Sequence, residues 1–199
     1  NMKDKVLAVL KNTDGYVSGQ ELCEELGVSR TAVWKAVNAL KEAGYEIESV
    51  RNRGYMLKSC PDVLLSEEIK SVLDTKWFAK KILYFDKIDS TNSEIKRQAE
   101  QGASEGTLAI AEYQSAGRGR RGRSWDSPAG SGIWMSFLIK PDIRPEHAPM
   151  ITLLAAMACA SAVRDVTGLE AMIKWPNDIV IGGRKITGIL TEMSTEMET

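Results

Sequence analysis

Apolar residues in the first 45 positions recur every three to four places. Val6, Leu7, Val9 and Leu10 fall on one face of a helix that Thr13-Asp14-Gly15 closes. Ser18, with Glu21 three residues on, predicts a capping box that opens a second helix. Its apolar face is Leu22 and Leu26, and Gly27 ends it. Ser29 opens a third helix carrying Ala32, Val33, Ala36, Val37 and Leu40, stopped by Gly44. At Tyr45 the pattern turns strand-like. Residues 45–50, the basic turn Arg51-Asn52-Arg53-Gly54, and residues 55–57 predict a β-hairpin. Two helices around a short turn, followed by a hairpin, read as a winged helix-turn-helix over residues 1–60.

Ser59-Cys60-Pro61-Asp62 reads as a break, and residues 61–80 as a linker with a connecting helix. Residues 81–199 alternate between the two periodicities and form the second expected domain. Strands are expected at 82–85, 107–111, 132–139, 172–173, 179–181 and 186–193, and helices at 91–101 and 145–166. The order implies an α+β chain whose second part is a mixed sheet with helices on one face. The longest apolar stretch, 148–163, falls short of the ~20 residues that span a bilayer. Thr152, Ser161 and Arg164-Asp165 suit a buried helix of a soluble protein. The expectation is a cytoplasmic protein with no membrane partner.

Composition narrows the chemistry. The 199 residues are 43% hydrophobic with a formal net charge of -1, enough for a core but wrong for a general polyanion binder. Contact with nucleic acid therefore needs a local patch. Arg30, Thr31, Lys35 and Asn38 on the third helix, with Arg51 and Arg53 on the hairpin turn, supply one. The competing reading is a solvated polar face or a protein-interaction module. Cys23, Cys60 and Cys159 are far apart and fit a reducing compartment, and His147 is the only histidine. No protein-held metal site is expected. Magnesium brought in by a nucleotide needs few protein ligands.

The strongest local signal is Gly117-Arg118-Gly119-Arg120-Arg121-Gly122-Arg123, followed by Ser124-Trp125. It matches the dinucleotide pattern G-x-G-x-x-G after a strand. The next residues, 125–132, are turn-forming, so no helix N-terminus is available to hold a phosphate. The loop must bind anions through arginine side chains and glycine amides. Lys174-Trp175-Pro176-Asn177-Asp178 puts a lysine at a strand end, where it is either a surface residue or a second anion contact. Ser90-Thr91-Asn92 is either a helix cap or a ligand contact, and Gln114 stands between strand and loop. No nucleophile has a histidine base near these motifs, so any chemistry works by holding charged reactants together.

Ser90-Thr91-Asn92, the run from Glu112 through Gly122, Lys174-Trp175-Pro176-Asn177-Asp178 and Lys185-Ile186-Thr187-Gly188-Ile189-Leu190 occur in that order. Together they resemble the bacterial bifunctional biotin protein ligases that also repress the biotin operon. The resemblance implies a winged helix-turn-helix followed by a mixed-sheet catalytic domain of the biotin/lipoate ligase type. It implies biotin, ATP and Mg2+, with biotinyl-5′-adenylate formed first and the biotin then passed to a lysine of biotin carboxyl carrier protein. Operator DNA and a homodimer of the adenylate-bound form are the other implied partners. By motif, Ser90, Thr91, Asn92, Gln114, Gly117, Arg118, Gly119, Arg120, Lys174 and Gly188 would bind biotin or its adenylate, with Arg118 and Lys174 the catalytic cations. Family members continue beyond the point matching Thr199, with parts that complete the adenine pocket and dock the acceptor. A biotin-sensing DNA-binding regulator without ligase activity is the alternative; a lipoate-attaching enzyme fits the motifs less well.

Overall fold

The computed structural model describes residues 2–194; residue 1 and residues 195–199, at the two ends of the expected domains, lie outside the described residues. Helices α1 (Met2–Asn12), α2 (Gly19–Leu26) and α3 (Arg30–Glu42) are followed by a two-stranded antiparallel sheet, β1 (Glu46–Val50) and β2 (Gly54–Ser59). Ser18 caps α2 with the full reciprocal box to Glu21, and Ser29 accepts from the Ala32 amide at the start of α3. The apolar stripes read from the sequence form one cluster: Val6, Leu7, Leu10, Leu22, Val33, Ala36, Val37 and Leu40, closed by Tyr45 and Ile47. The hairpin is pinned to the helices by a two-bond bridge between Val17 and Tyr55, each bond 2.9 Å.

Helix α4 (Ser66–Val72) is short and two-faced. Glu67 pairs with Lys3, and Glu68 pairs with Lys11 at 2.5 Å, both lysines on α1. Glu67 is itself buried. On the other side Ile69, with Leu64 and Leu73 flanking the helix, packs against Ala79, Leu108 and Ile110 of the second part. The Leu64 amide also donates to Glu112 Oε1 at 2.8 Å.

The strands β3 (Ile82–Ile88), β4 (Leu108–Gln114) and β5 (Trp134–Phe137) form the mixed sheet, β3 parallel and β5 antiparallel to β4. Helix α5 (Thr91–Glu100) makes the crossover from β3 and leans on β4 and β5. The last strands, β6 (Met172–Lys174), β7 (Asp178–Ile181) and β8 (Arg184–Gly188), form a separate antiparallel meander and do not extend the mixed sheet. Two-residue and three-residue connections such as Gly182-Gly183 favour local antiparallel pairing over a crossover.

The long helix corrects one expectation. Helix α6 (Ala148–Thr167) has 20 residues, and the helical stretch from Pro145 to Thr167 is long and apolar enough to cross a membrane by length and composition. Buried within it are only Ala156 and Ala160, while Met150, Leu153, Leu154 and Met157 are exposed. Ala160 packs on Ala171 and Ile179 through a narrow small-residue face; the larger apolar residues at helical spacing from Met150 point elsewhere.

Candidate functional site

Two constellations meet at the carboxyl ends of β3 and β4. The first is a hydroxyl and amide network at the start of α5. Asp89 accepts from the Ser90 amide and is gripped by Arg97, whose hydrogen bonds push the carboxyl down to about 2. This fixes the helix start although Ser90 makes no capping bond with its side chain. Ser90, Thr91 and Ser127 are buried. Gln114 Oε1 accepts from the Thr91 amide at 2.8 Å and the Thr91 hydroxyl at 3.0 Å, and Gln114 Nε2 donates to Ser127 Oγ at 2.9 Å. Thr91 Oγ1 lies 2.8 Å from Ser136 Oγ, which in turn donates to Asn92 Oδ1.

Proton counting says what this network can accept. Three contacts, Thr91 to Gln114, Thr91 to Ser136 and Ser136 to Asn92, share two hydroxyl protons. The amide orientations are set independently, by the Thr91 N–H on Gln114 Oε1 and by the Asn92 NH2 on Leu190 O and Glu192. The cluster is one donor short, so a ligand N–H or O–H arriving there meets oxygen lone pairs with no proton of their own to give.

The second constellation is a cleft of about 490 Å³. One wall is the loop from Arg118 to Trp125; the other is the β6–β7 turn with the end of β8, including Asn177, Asp178, Lys185 and Gly188. Gly119 N–H donates to Arg123 O at 2.7 Å, which folds the loop on itself. Gly117 permits this folding: a Cβ there would sit 2.3 Å from Trp125 O and 2.7 Å from Ser127 Oγ. Lys185 lies 4.8 Å above the Trp125 ring and pairs with Asp178 at 2.7 Å. Arg120 Nη1 donates to Asn177 Oδ1 at 2.8 Å. Volume and lining fit a small-molecule site with several converging cations. A crevice of similar size between α4 and β4 is lined by Asp62, Glu68 and Glu112 without a lysine or arginine.

Glu192 joins the two constellations. Its carboxylate pairs with Arg118 at 2.8 Å and accepts from Asn92 Nδ2 at 3.0 Å. The chain's own carboxylate thus bridges the loop and the α5 start. Both partners are open to solvent, 48% and 41% exposed, so the pair is worth about 0.2–1 kcal/mol. Glu192→Gln should therefore tighten binding of an acidic ligand by up to about fivefold. Titration calorimetry with AMP as the acidic probe reads this directly; unchanged affinity would mean that Glu192 does not compete.

Of the residues singled out from sequence, Ser90, Thr91, Asn92 and Gln114 fall in or beside the network, and Arg118, Gly119, Arg120 and Gly188 line the cleft. Gly117 stands beneath the loop, against Trp125 O and Ser127. Lys174 ends β6, is exposed and stands outside the cleft lining; Trp175 next to it is part of that lining. Sequence reasoning missed Ser127, Ser136, Asn177 and Glu192 as site residues, and missed Lys185 as the lysine in the cleft. Lys185 and Asn177 lay inside quoted motifs, whereas Ser136 carried no signal beyond its place in a strand.

Helix α3 presents Arg30, Thr31 and Lys35 to solvent, with Asn38 half-buried. Arg30 is held by Gln20 Oε1 at 2.9 Å, and Lys41 ties α3 to the hairpin through Ser49 Oγ at 2.9 Å. On the hairpin turn Arg51 and Arg53 are exposed, and Arg53 stacks over the Tyr16 ring at 4.5 Å. Trp34, unnoticed from sequence, is 56% exposed on α3.

Comparison with known proteins bears on both parts. The model of the biotin/lipoate A/B protein ligase family matches residues 84–199, and an HTH domain model matches residues 3–56. The chain is 43% identical over 194 residues to the bifunctional ligase/repressor BirA of Bacillus subtilis (strain 168), covering 98% of this chain and 60% of that protein. It is 34% identical over 190 residues to the protein of the same name from Escherichia coli (strain K12), covering 96% and 57%. The chain thus spans about 60% of the length of the curated relatives it matches. Biotin protein ligase from Aquifex aeolicus, solved with biotin and ATP, superposes with a TM-score of 0.51 at 34% identity, over 58% of this chain and 47% of that one. The Leishmania major ligase with biotinyl-5-AMP gives 0.50 at 29% identity, over 58% and 53%.

Proposed function

Because the chain belongs to the biotin/lipoate A/B protein ligase family, we propose that it carries the biotin-activating site and the DNA-reading module of a bifunctional biotin protein ligase and repressor. The observation that carries this reading is the junction of a donor-short oxygen cluster with a cationic cleft. Biotin has both complements: a ureido group with two N–H donors and a carboxylate at the far end of its chain. Its ring would sit at Thr91, Asn92 and Gln114, and its carboxylate would point toward Arg118, where Glu192 now lies.

In the first step the biotin carboxylate attacks the α-phosphorus of ATP, and pyrophosphate leaves. Two anions must approach, and Arg118, Arg120 and Lys185, with Lys174 at the cleft margin, lower that repulsion and stabilise charge on the equatorial oxygens. Magnesium entering with the nucleotide would neutralise further phosphate charge. The product is a mixed anhydride that water destroys, and the arginine loop would shield it. In the second step the ε-amine of a lysine on biotin carboxyl carrier protein attacks the acyl carbon and AMP leaves. The adenylate-bound form would dimerise, and Arg30, Thr31, Lys35, Asn38, Arg51 and Arg53 would contact operator DNA. The protein would work in the cytoplasm.

Incubation of the chain with biotin, ATP and magnesium, following pyrophosphate release and biotinyl-5′-AMP, tests the activity. Adenylate formation supports the ligase reading. Binding of biotinyl-5′-AMP without turnover favours a sensor without catalysis. Failure to bind either biotin or the adenylate removes the reading altogether.

A further inference from the structure

Asn177 is 9% exposed, yet its side chain has both of its polar atoms engaged across the cleft wall. Oδ1 accepts from Arg120 Nη1 at 2.8 Å, Nδ2 donates to Ile189 O at 3.0 Å, and its own carbonyl accepts from the Ile189 amide at 2.9 Å. One buried amide therefore joins three segments: the arginine loop, the β6–β7 turn and the chain leaving β8. Arg120 is exposed, and the residue after it, Arg121, adopts the left-handed conformation with φ of 58°. Among the described residues the backbone hydrogen bonds of 117–125 close the loop on itself, from Gly119 to Arg123 O, Arg123 to Arg120 O and Trp125 to Gly117 O. Among the described hydrogen bonds, the one from Arg120 to Asn177 is the loop's side-chain link to the β6–β7 turn.

We infer that Asn177 is a positioning residue: it aims the Arg120 guanidinium over the cleft, and so sets how long an acyl-adenylate stays enclosed. This deepens the proposed function and rests on it. The mechanism is preorganisation. A long, flexible arginine costs rotamer entropy when a ligand orders it, and a buried acceptor that already holds one of its nitrogens removes part of that cost. The remaining guanidinium donors stay free for phosphate.

Two substitutions separate aiming from architecture. Asn177→Ala loses both side-chain bonds. Asn177→Asp also loses the donation to Ile189 O but keeps an acceptor for Arg120. Both should lower the urea midpoint of unfolding. Release of biotinyl-5′-AMP, followed by dilution into excess unlabelled adenylate, should be about five- to twentyfold faster in Asn177→Ala, with Asn177→Asp restoring most of the retention. Equal release rates in the two variants would overturn the inference, because the shared loss at Ile189 would then explain everything. Trypsin reports on the loop without ligand: faster cleavage between Arg118 and Arg123 in Asn177→Ala than in Asn177→Asp is expected, and equal cleavage again overturns it. If the parent chain fails to bind the adenylate, the proposed function falls while the trypsin comparison still decides whether Asn177 holds the loop.

Discussion

Arg118→Ala should weaken binding of biotinyl-5′-AMP by about ten- to a hundredfold while changing unfolding stability by less than about 1 kcal/mol. The two magnitudes separate because the guanidinium does different work in the two states. Without ligand it pairs with Glu192 at the protein surface, an interaction worth little. With an acyl-phosphate in the cleft it donates charge-assisted hydrogen bonds from which water is largely excluded, each worth about 1.5–3 kcal/mol. Equilibrium binding and urea denaturation of the same preparation check both halves. Parallel losses in both would make Arg118 a structural residue of the loop.

Gly54→Ala should unfold or loosen the N-terminal module by more than about 3 kcal/mol and abolish duplex DNA binding. Gly54 opens β2 with φ of 106°, a backbone conformation that an alanine side chain strains. A Cβ there would also lie 2.0 Å from Val17 O and 2.6 Å from Ser18 Cα. Relief requires the hairpin to move away from α2, which breaks the paired bonds between Val17 and Tyr55 and uncouples Ser18 from its place at the helix cap. Thermal unfolding followed by circular dichroism, with a fluorescence-anisotropy titration of labelled duplex, reads both effects. A variant with parental melting would show that the hairpin has room to shift.

The three-helix module was legible because its signals are local. Ser18 with Glu21, Ser29, and stripes at three- and four-residue spacing need no knowledge of what lies opposite them. The loop stood out because four arginines among glycines concentrate charge, and it does line the cleft. Three features were not legible, for different reasons. The division of the later strands into two sheets depends on which edges meet, and spacing does not report that. The burial of α6 was overestimated because its hydrophobicity is nearly uniform along the sequence, whereas its contact with β6 and β7 uses a narrow stripe of Cys159, Ala160 and Val163. Glu192 and Ser136 enter the site from segments 100 and 44 residues away from Asn92, and nothing in their immediate neighbours marks them. Lys185 lines the cleft while Lys174 stands outside its lining, a difference that spacing does not report because a strand-end lysine looks the same from sequence whichever way its strand turns.

Helix α4 has a mechanical consequence. Its two faces are fastened by different forces: carboxylates to the lysines of α1 on one side, apolar packing against β4 on the other. Salt loosens the first seam only partly, because its ion pairs are mostly withdrawn from water, and leaves the second nearly intact. Cooling acts the other way, since burial of apolar surface loses strength as temperature falls. The helical module is thus joined to β4 by a seven-residue wedge whose two joints respond to different conditions.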